Sequence, residues 1–169
     1  MILVLGTGRS GTSTIARLLH TELGVSMGTR FKDPDSANAK GYYEDLDFLE
    51  INTDPTLCCA HREQLIFNLF DIRKEPWGLK EPRIPYFWRI YKKYINHDTK
   101  IIIATRAPHL VVASTRRHYG WTEQVSLKLI QERHTGIGLL TRGSDSIKID
   151  FTDQRTDGEL IKILTNYIR

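Results

Sequence analysis

The sequence has little cysteine, no long apolar run and no concentrated block of charge. Its two cysteines, Cys58 and Cys59, are adjacent, so they provide neither a disulfide framework nor the spaced pairs of a zinc site. The apolar run 1–5 is too short for the core of a signal peptide, and no stretch is long enough to span a membrane. We therefore expect a cytoplasmic protein that holds no metal.

The positive charge is also not arranged as in a nucleic-acid-binding protein. The formal net charge is +4 and the isoelectric point about 9.1, but lysine and arginine are spread along the chain, with no basic tail and no recognition motif. We expect no nucleic-acid partner. A small excess of cations also suits an enzyme with polyanionic substrates.

The order of apolar runs and helical patterns indicates one α/β domain over residues 1–169. Strands are predicted at 2–5, 100–105 and 146–151, with a short apolar segment at 77–79. Helices are predicted at 13–23, 44–51, 62–72, 85–94, 108–117, 122–141 and 158–168. This alternation predicts a P-loop-type, three-layer α/β/α fold around a mostly parallel sheet, with the β-branched run 100–105 at its centre.

The stretch LVLGTGRSGTST, residues 3–14, predicts an anion site, because it brings backbone N–H groups to a helix N-terminus. Its glycines fit G-x-G-x-x-G of dinucleotide-binding proteins and also the outer spacing of a phosphate-binding P-loop. Thr12 stands where a Walker A motif needs lysine, and Asp33 is late for the acidic residue of a dinucleotide site. Arg9, inside the loop, indicates a ligand with dense negative charge.

Four short segments carry a family resemblance. They are Gly-x-x-Arg-Ser-Gly-Thr-Ser at 6–13, Gly-Tyr-Tyr-Glu at 41–44, Trp-Gly-Leu-Lys-Glu-Pro-Arg at 77–83, and Thr-Arg-Ala-Pro at 105–108 with Ser114. In this order they resemble sulfotransferases that use 3′-phosphoadenosine 5′-phosphosulfate (PAPS). The first segment is similar to that family's 5′-phosphosulfate loop and the last to its 3′-phosphate element. The resemblance covers about residues 1–118.

The resemblance implies transfer of a sulfuryl group from PAPS to a hydroxyl or amine of a small-molecule or carbohydrate acceptor, without a metal. Arg106 and Ser114 are then expected to bind the 3′-phosphate. Arg9 and Lys80 are expected to stabilise the transferring group, and Glu44 to act as the base. The expected binding residues of the first loop are Gly8, Arg9, Ser10, Gly11, Thr12 and Ser13.

Some roles have alternatives on the sequence alone. Glu81, His20 and His61 are other candidate bases. Glu44 can instead belong to the first turn of a helix, where carboxylates are favoured. Lys80 can instead pair with Glu44 or Glu81.

Two other functions also stay open. One is an atypical P-loop small-molecule kinase or nucleoside triphosphatase, and the other is a module that binds adenosine bisphosphate without catalysis. Residues 24–41 and the helices over 44–72 are expected on the acceptor side, where their composition does not distinguish a sugar, a lipid headgroup, a phenol or a peptide tyrosine. The chain lacks the late glycine-rich, basic segment that often completes the nucleotide site in the resembled family, so the adenine contacts stay unassigned.

Overall fold

The computed structural model describes all 169 residues and has a four-stranded sheet at its centre. The strands are β1 (Ile2–Gly6), β2 (Gly78–Lys80), β3 (Lys100–Thr105) and β4 (Ser146–Asp150). Their spatial order is β2-β1-β3-β4, and every neighbouring pair is parallel. The predicted α/β fold with a parallel sheet is confirmed.

Seven α-helices surround this sheet. They are α1 (Thr12–Thr21), α2 (Leu46–Thr53), α3 (Cys59–Ile72), α4 (Trp88–Tyr91), α5 (Pro108–Tyr119), α6 (Glu123–Thr141) and α7 (Asp157–Ile168). None of them combines the length and the apolar character that crossing a bilayer requires.

The three layers follow from the alternation of side chains along the two interior strands. On β1, Ile2 and Val4 enter a core with α1 and α7, whereas Leu3 and Leu5 enter a second core on the opposite face. The strand β3 divides its isoleucines between the same two cores. The second core is closed by residues of α2, α3, α4 and α6. Both faces of the sheet are therefore covered, which explains why β1 and β3 are apolar without alternation.

The strand order places a topological switch point beside β1. The chain passes from β1 to β2 on one side and from β3 to β4 on the other, so the connections after β1 and β3 diverge. Open parallel sheets bind ligands in the crevice outside the carboxyl ends of such strands. The first loop follows β1, Lys80 ends β2 and Arg106 follows β3, so all three meet at this edge.

The aromatic segment predicted as a helix over 85–94 is broken into three short pieces. A 3₁₀ turn at Ile84–Phe87 precedes the single turn of α4, and a second 3₁₀ turn at Lys92–Tyr94 follows it. Gly136 of α6 lies directly against the Pro85 carbonyl, and Tyr91 is fully buried. Close packing against α6 thus determines the backbone path of this segment, although its sequence has a helical pattern.

Candidate functional site

A cleft of about 420 Å³ opens at the carboxyl edge of the sheet, a size typical of small-molecule sites. Its walls come from the first loop, residues 32–44, the end of β2, and the facing sides of α5 and α6. One carboxylate, Glu44, lines it. Six cationic side chains also line it: Arg9, Lys32, Lys80, Arg83, Arg106 and Arg133. The lining of the cleft therefore carries a large excess of positive charge, which favours an anion.

The first loop presents free backbone donors to this cleft. Gly11 is the N-cap of α1 and has a φ of 99°, and no side chain caps the helix. The first N–H groups of α1 therefore have no capping side chain as a hydrogen-bond partner. Thr12 and Ser13, the first residues of α1, line the cleft together with Gly8. These donors and the helix dipole favour an anion at this position, which is where the sequence predicts one.

Ser10 differs from the other predicted loop residues. It is fully buried, and both its N–H and its hydroxyl donate to the Thr7 carbonyl, at 3.3 Å and 2.6 Å. It does not line the cleft. Ser10 therefore shapes the loop from behind.

Gly11 is expected to be intolerant of a side chain. A Cβ at this position would lie 2.5 Å from the ring of Phe151, in a backbone conformation with φ of 99°. We expect Gly11→Ala to lower the free energy of unfolding by more than about 2 kcal/mol, because ring displacement adds to the cost of a left-handed backbone. Urea denaturation measures this loss.

Gly24→Ala is the matched control, because Gly24 also has a positive φ, 68°, but has open space around its Cβ position. It is expected to show the backbone cost alone, about 1 kcal/mol. Equal losses in the two variants would contradict the role of Phe151.

Arg9, Arg106 and Ser114 come together beside the first loop, although they are far apart in sequence. The Nε of Arg9 donates to Ser114 Oγ at 2.9 Å, and Nη1 of Arg106 donates to the Arg9 carbonyl at 3.2 Å. The Nε of Arg106 is buried without a partner. Arg9 and Arg106 line the cleft, while Ser114 lies behind Arg9 and orients it. Arg9 itself has a φ of 69°, so its unusual backbone turns this side chain away from the loop and toward α5.

Lys80 and Glu44 form a buried ion pair in the floor of the cleft. Lys80 Nζ lies 2.5 Å from Glu44 Oε1 and 3.1 Å from the Tyr42 carbonyl, and it also reaches Ser13 Oγ at 3.4 Å. Both side chains are almost completely buried. Lys80 thus joins the first turn of α1 to the Glu44 carboxylate. Burial lowers the pKa of Lys80, and the neighbouring carboxylate opposes that shift.

Glu44 lies before α2 and not in its first turn. The N-cap of α2 is Asp45, whose side chain accepts a hydrogen bond from the Asp47 N–H. The interpretation of Glu44 as a residue of the first helical turn is therefore wrong. Asp45 caps the helix, and the Glu44 side chain lines the cleft instead.

The alternative bases lie elsewhere. Glu81 is buried outside the cleft, where it accepts hydrogen bonds from Asn52 and Arg83. Burial raises the pKa of Glu81, and Arg83 opposes this shift. His20 lies beside the Val25 carbonyl and the ring of Phe31, and His61 is exposed on α3. Of the four candidates, the structure brings only Glu44 to the cleft.

The segment predicted on the acceptor side forms one wall of the cleft. Lys32 and Asn38 line it, together with Tyr42. Tyr42 is held by Asp35, which accepts its hydroxyl hydrogen bond at 2.7 Å. The Ala37 carbonyl accepts from Arg9 Nη1 at 2.9 Å. This wall is therefore anchored to the first loop.

Sequence reasoning missed Arg133 on α6, which lines the cleft beside Gly8 of the first loop. The buried positions of α6 include Ser126, Ile130, Ile137 and Leu140, and Arg133 falls on the same stripe at helical spacing. A cation on the buried stripe of a helix was the available signal.

The Tyr119 and Trp121 rings, at the junction of α5 and α6, also line the cleft and lie 4.9 Å apart between centroids. Both are partly exposed. They add an aromatic wall to an otherwise cationic site.

No family model matches the chain, and no curated protein is similar to it in sequence. Solved structures do resemble it. The YorR protein from Bacillus subtilis, solved in complex with phosphorylated GDP, has a TM-score of 0.65 and 13% identity over 98% of this chain and 94% of its own. TT1252 from Thermus thermophilus has a TM-score of 0.56 and 13% identity, with the same coverage. At this identity the likeness shows the fold alone.

Proposed function

We propose that the protein binds PAPS in the cleft and transfers its sulfuryl group to the hydroxyl or amine of a small-molecule or carbohydrate acceptor. The strongest support is that two cationic clusters lie at the same edge of the sheet. The first loop with Lys80 forms one, and Arg9 with Arg106 forms the other. Two such clusters in one cleft suit a nucleoside with anionic groups at both its 5′ and 3′ positions.

The charge of the cleft fits such a donor. Two of the six lining cations are neutralised by carboxylates, Lys80 by Glu44 and Arg83 by Glu81. Arg9, Lys32, Arg106 and Arg133 have no ion-pair partner, and the Nε atoms of Arg106 and Arg133 are buried without a hydrogen bond. Buried donors without partners are rare and costly in native proteins. An anionic ligand in the cleft would neutralise the four unpaired cations that line it.

The residues divide the chemistry as follows. The N–H groups at the start of α1 and the hydroxyls of Thr12 and Ser13 bind the 5′-phosphate, and Arg106 with Arg9 binds the 3′-phosphate. The acceptor oxygen attacks sulfur as the bond from sulfur to the phosphate oxygen breaks, and adenosine 3′,5′-bisphosphate leaves. Glu44 takes the acceptor's proton, while Lys80 stabilises charge on the leaving phosphate. The ion pair between Glu44 and Lys80 at the first loop supports these two roles.

A second candidate is phosphoryl transfer by an atypical P-loop kinase. The phosphorylated GDP in YorR favours it, because the two proteins share their fold. Thr12 in place of the Walker lysine weighs against it.

A thermal-shift titration tests the proposal directly. Adenosine 3′,5′-bisphosphate is compared with 5′-AMP, NAD, and ATP with Mg²⁺. A ligand at about 100 times its dissociation constant adds roughly 2.7 kcal/mol, which shifts the melting temperature by a few degrees in a domain of this size. We expect the largest shift with the bisphosphate and a smaller one with 5′-AMP, which lacks the 3′-phosphate.

The result also separates the alternatives. A shift with ATP and Mg²⁺ but none with the bisphosphate would support the kinase and contradict the sulfotransferase. Bisphosphate binding without turnover on any acceptor would indicate a binding module. A shift with the bisphosphate justifies an acceptor screen with PAPS.

A further inference from the structure

Arg133 is a cation that the protein itself leaves unsatisfied. It lies on the buried stripe of α6, and its Nε is enclosed without a hydrogen-bond partner. No carboxylate pairs with its guanidinium, whose Cζ lies over the ring of Tyr86 at 5.8 Å from the ring centroid. A half-buried arginine without an anion is unfavourable unless a ligand supplies one.

The guanidinium of Arg133 lies directly over the first loop. A Cβ built on Gly8 would approach Arg133 Nη1 to 2.9 Å, so the absence of a side chain at Gly8 makes room for this cation. The two residues lie next to each other in the lining of the same cleft. An anion that rests on the N–H groups at the start of α1 therefore lies in the cleft that Arg133 also lines.

The other arginine expected at this place is engaged elsewhere. Arg9 belongs to the first loop by sequence, but its guanidinium donates to Ser114 and to the Ala37 carbonyl. It thus joins Arg106 at the second anion site. This leaves two cations at the first loop, namely Lys80, which reaches Ser13 Oγ, and Arg133, which lies against Gly8.

We infer that Arg133 is a further binding residue, which contacts the anionic group held by the first loop, and that α6 thereby takes part in donor binding. Under the proposed function, on which this inference rests, that group is the 5′-phosphosulfate of PAPS. Arg133 then clamps the donor's reactive end against the loop. A planar guanidinium with several donors suits the tetrahedral oxygens of such a group.

The test is a ligand comparison by isothermal titration calorimetry. Adenosine 3′,5′-bisphosphate, 5′-AMP and adenosine 3′-phosphate are titrated into wild type and Arg133→Gln. We expect the variant to lose tenfold or more in affinity for the two ligands with a 5′-phosphate and to bind adenosine 3′-phosphate as the wild type does. Arg133→Lys is expected to recover part of the affinity, since it retains the charge.

Lys128→Gln is the matched control, because Lys128 is an exposed cation of the same helix and lies outside the cleft. It is expected to leave all three affinities unchanged. The melting temperature without ligand checks folding, and Arg133→Gln is expected to match or exceed the wild type, since it removes an unpaired charge.

The inference is overturned if Arg133→Gln binds the bisphosphate like the wild type, or if it loses equal affinity for all three ligands. Failure of the proposed function has a different signature, namely a wild type that binds ATP with Mg²⁺ and not the bisphosphate. In that case the same variant is titrated with ATP. A tenfold loss there still supports Arg133 as an anion-binding residue at the loop, and wild-type affinity refutes it.

Discussion

Replacing Arg106 by glutamine is expected to weaken the binding of adenosine 3′,5′-bisphosphate about 100-fold, since each hydrogen bond to a charged group contributes about 1.5–3 kcal/mol. The guanidinium of Arg106 follows the central strand β3 and lies at the switch point of the sheet. Its Nε is buried without a partner, while its Nη1 is fixed by the Arg9 carbonyl. The side chain is thus already oriented, so a 3′-phosphate gains its hydrogen bonds at little cost in ordering. Calorimetric titration measures the loss.

Two comparisons make the result specific. The affinity for 5′-AMP is expected to stay within a few-fold of the wild type, because that ligand lacks the group which Arg106 contacts. Arg117→Gln removes an exposed arginine from α5, outside the cleft, and is expected to bind the bisphosphate normally. If Arg106→Gln and Arg117→Gln behave alike, the assignment of the second anion site is wrong. Because Arg106 also holds the backbone of Arg9, the melting temperature of each variant is measured as well.

The strands were predictable because their sequence signals are local. The run KIIIAT is β-branched and apolar throughout, and β3 covers it completely at Lys100–Thr105. A strand buried on both faces has a continuous apolar run, so it can be predicted from its own residues alone. The aromatic segment before it has the opposite character, because its turns are set by packing against α6, which follows some 40 residues later. Helical periodicity alone does not reveal such a neighbour.

The candidate site also has parts that were predictable from local sequence and parts that were not. The first loop, Lys80 and Arg106 were found because each stands at the end of a strand, where a parallel sheet collects its ligand-binding groups. The direction of each side chain was not predictable. Arg9 turns to Ser114 and Ser10 turns to Thr7, and both choices depend on the folded loop.

The placement of Glu44 and Arg133 in the cleft depends on other residues of the fold. Glu44 was indicated by its motif, yet its exclusion from α2 depends on Asp45, the better N-cap beside it. Arg133 has no motif, and its place in the cleft depends on the path of α6 across the sheet edge. Its signal was a break in an apolar stripe, which is informative only once the buried face of the helix is known.

Replacing Lys80 by methionine is expected to have two large effects, because this lysine is both buried and placed at the first loop. Removing one partner of a buried ion pair typically costs about 3–5 kcal/mol, since the other charge is left uncompensated. Here that charge is Glu44, whose carboxylate lies 2.5 Å from the ammonium. The variant also loses the cation that stabilises the leaving phosphate, so turnover is expected to fall about 100- to 1000-fold. Urea denaturation measures the first effect, and release of the bisphosphate from PAPS with the screened acceptor measures the second.

The double variant Lys80→Met with Glu44→Gln separates these effects. Neutralising Glu44 removes the uncompensated charge, so most of the lost stability is expected to return, whereas turnover stays low because both the cation and the base are absent. A double variant as unstable as the single one would show that Lys80 stabilises the fold by packing and not through its ion pair. Wild-type turnover in the stable double variant would remove Lys80 and Glu44 from the mechanism. Bisphosphate affinity in that variant is expected to fall, because the first anion site loses Lys80. Affinity for adenosine 3′-phosphate, which Arg9 and Arg106 bind, is expected to stay at the wild-type level, as the two-site arrangement requires.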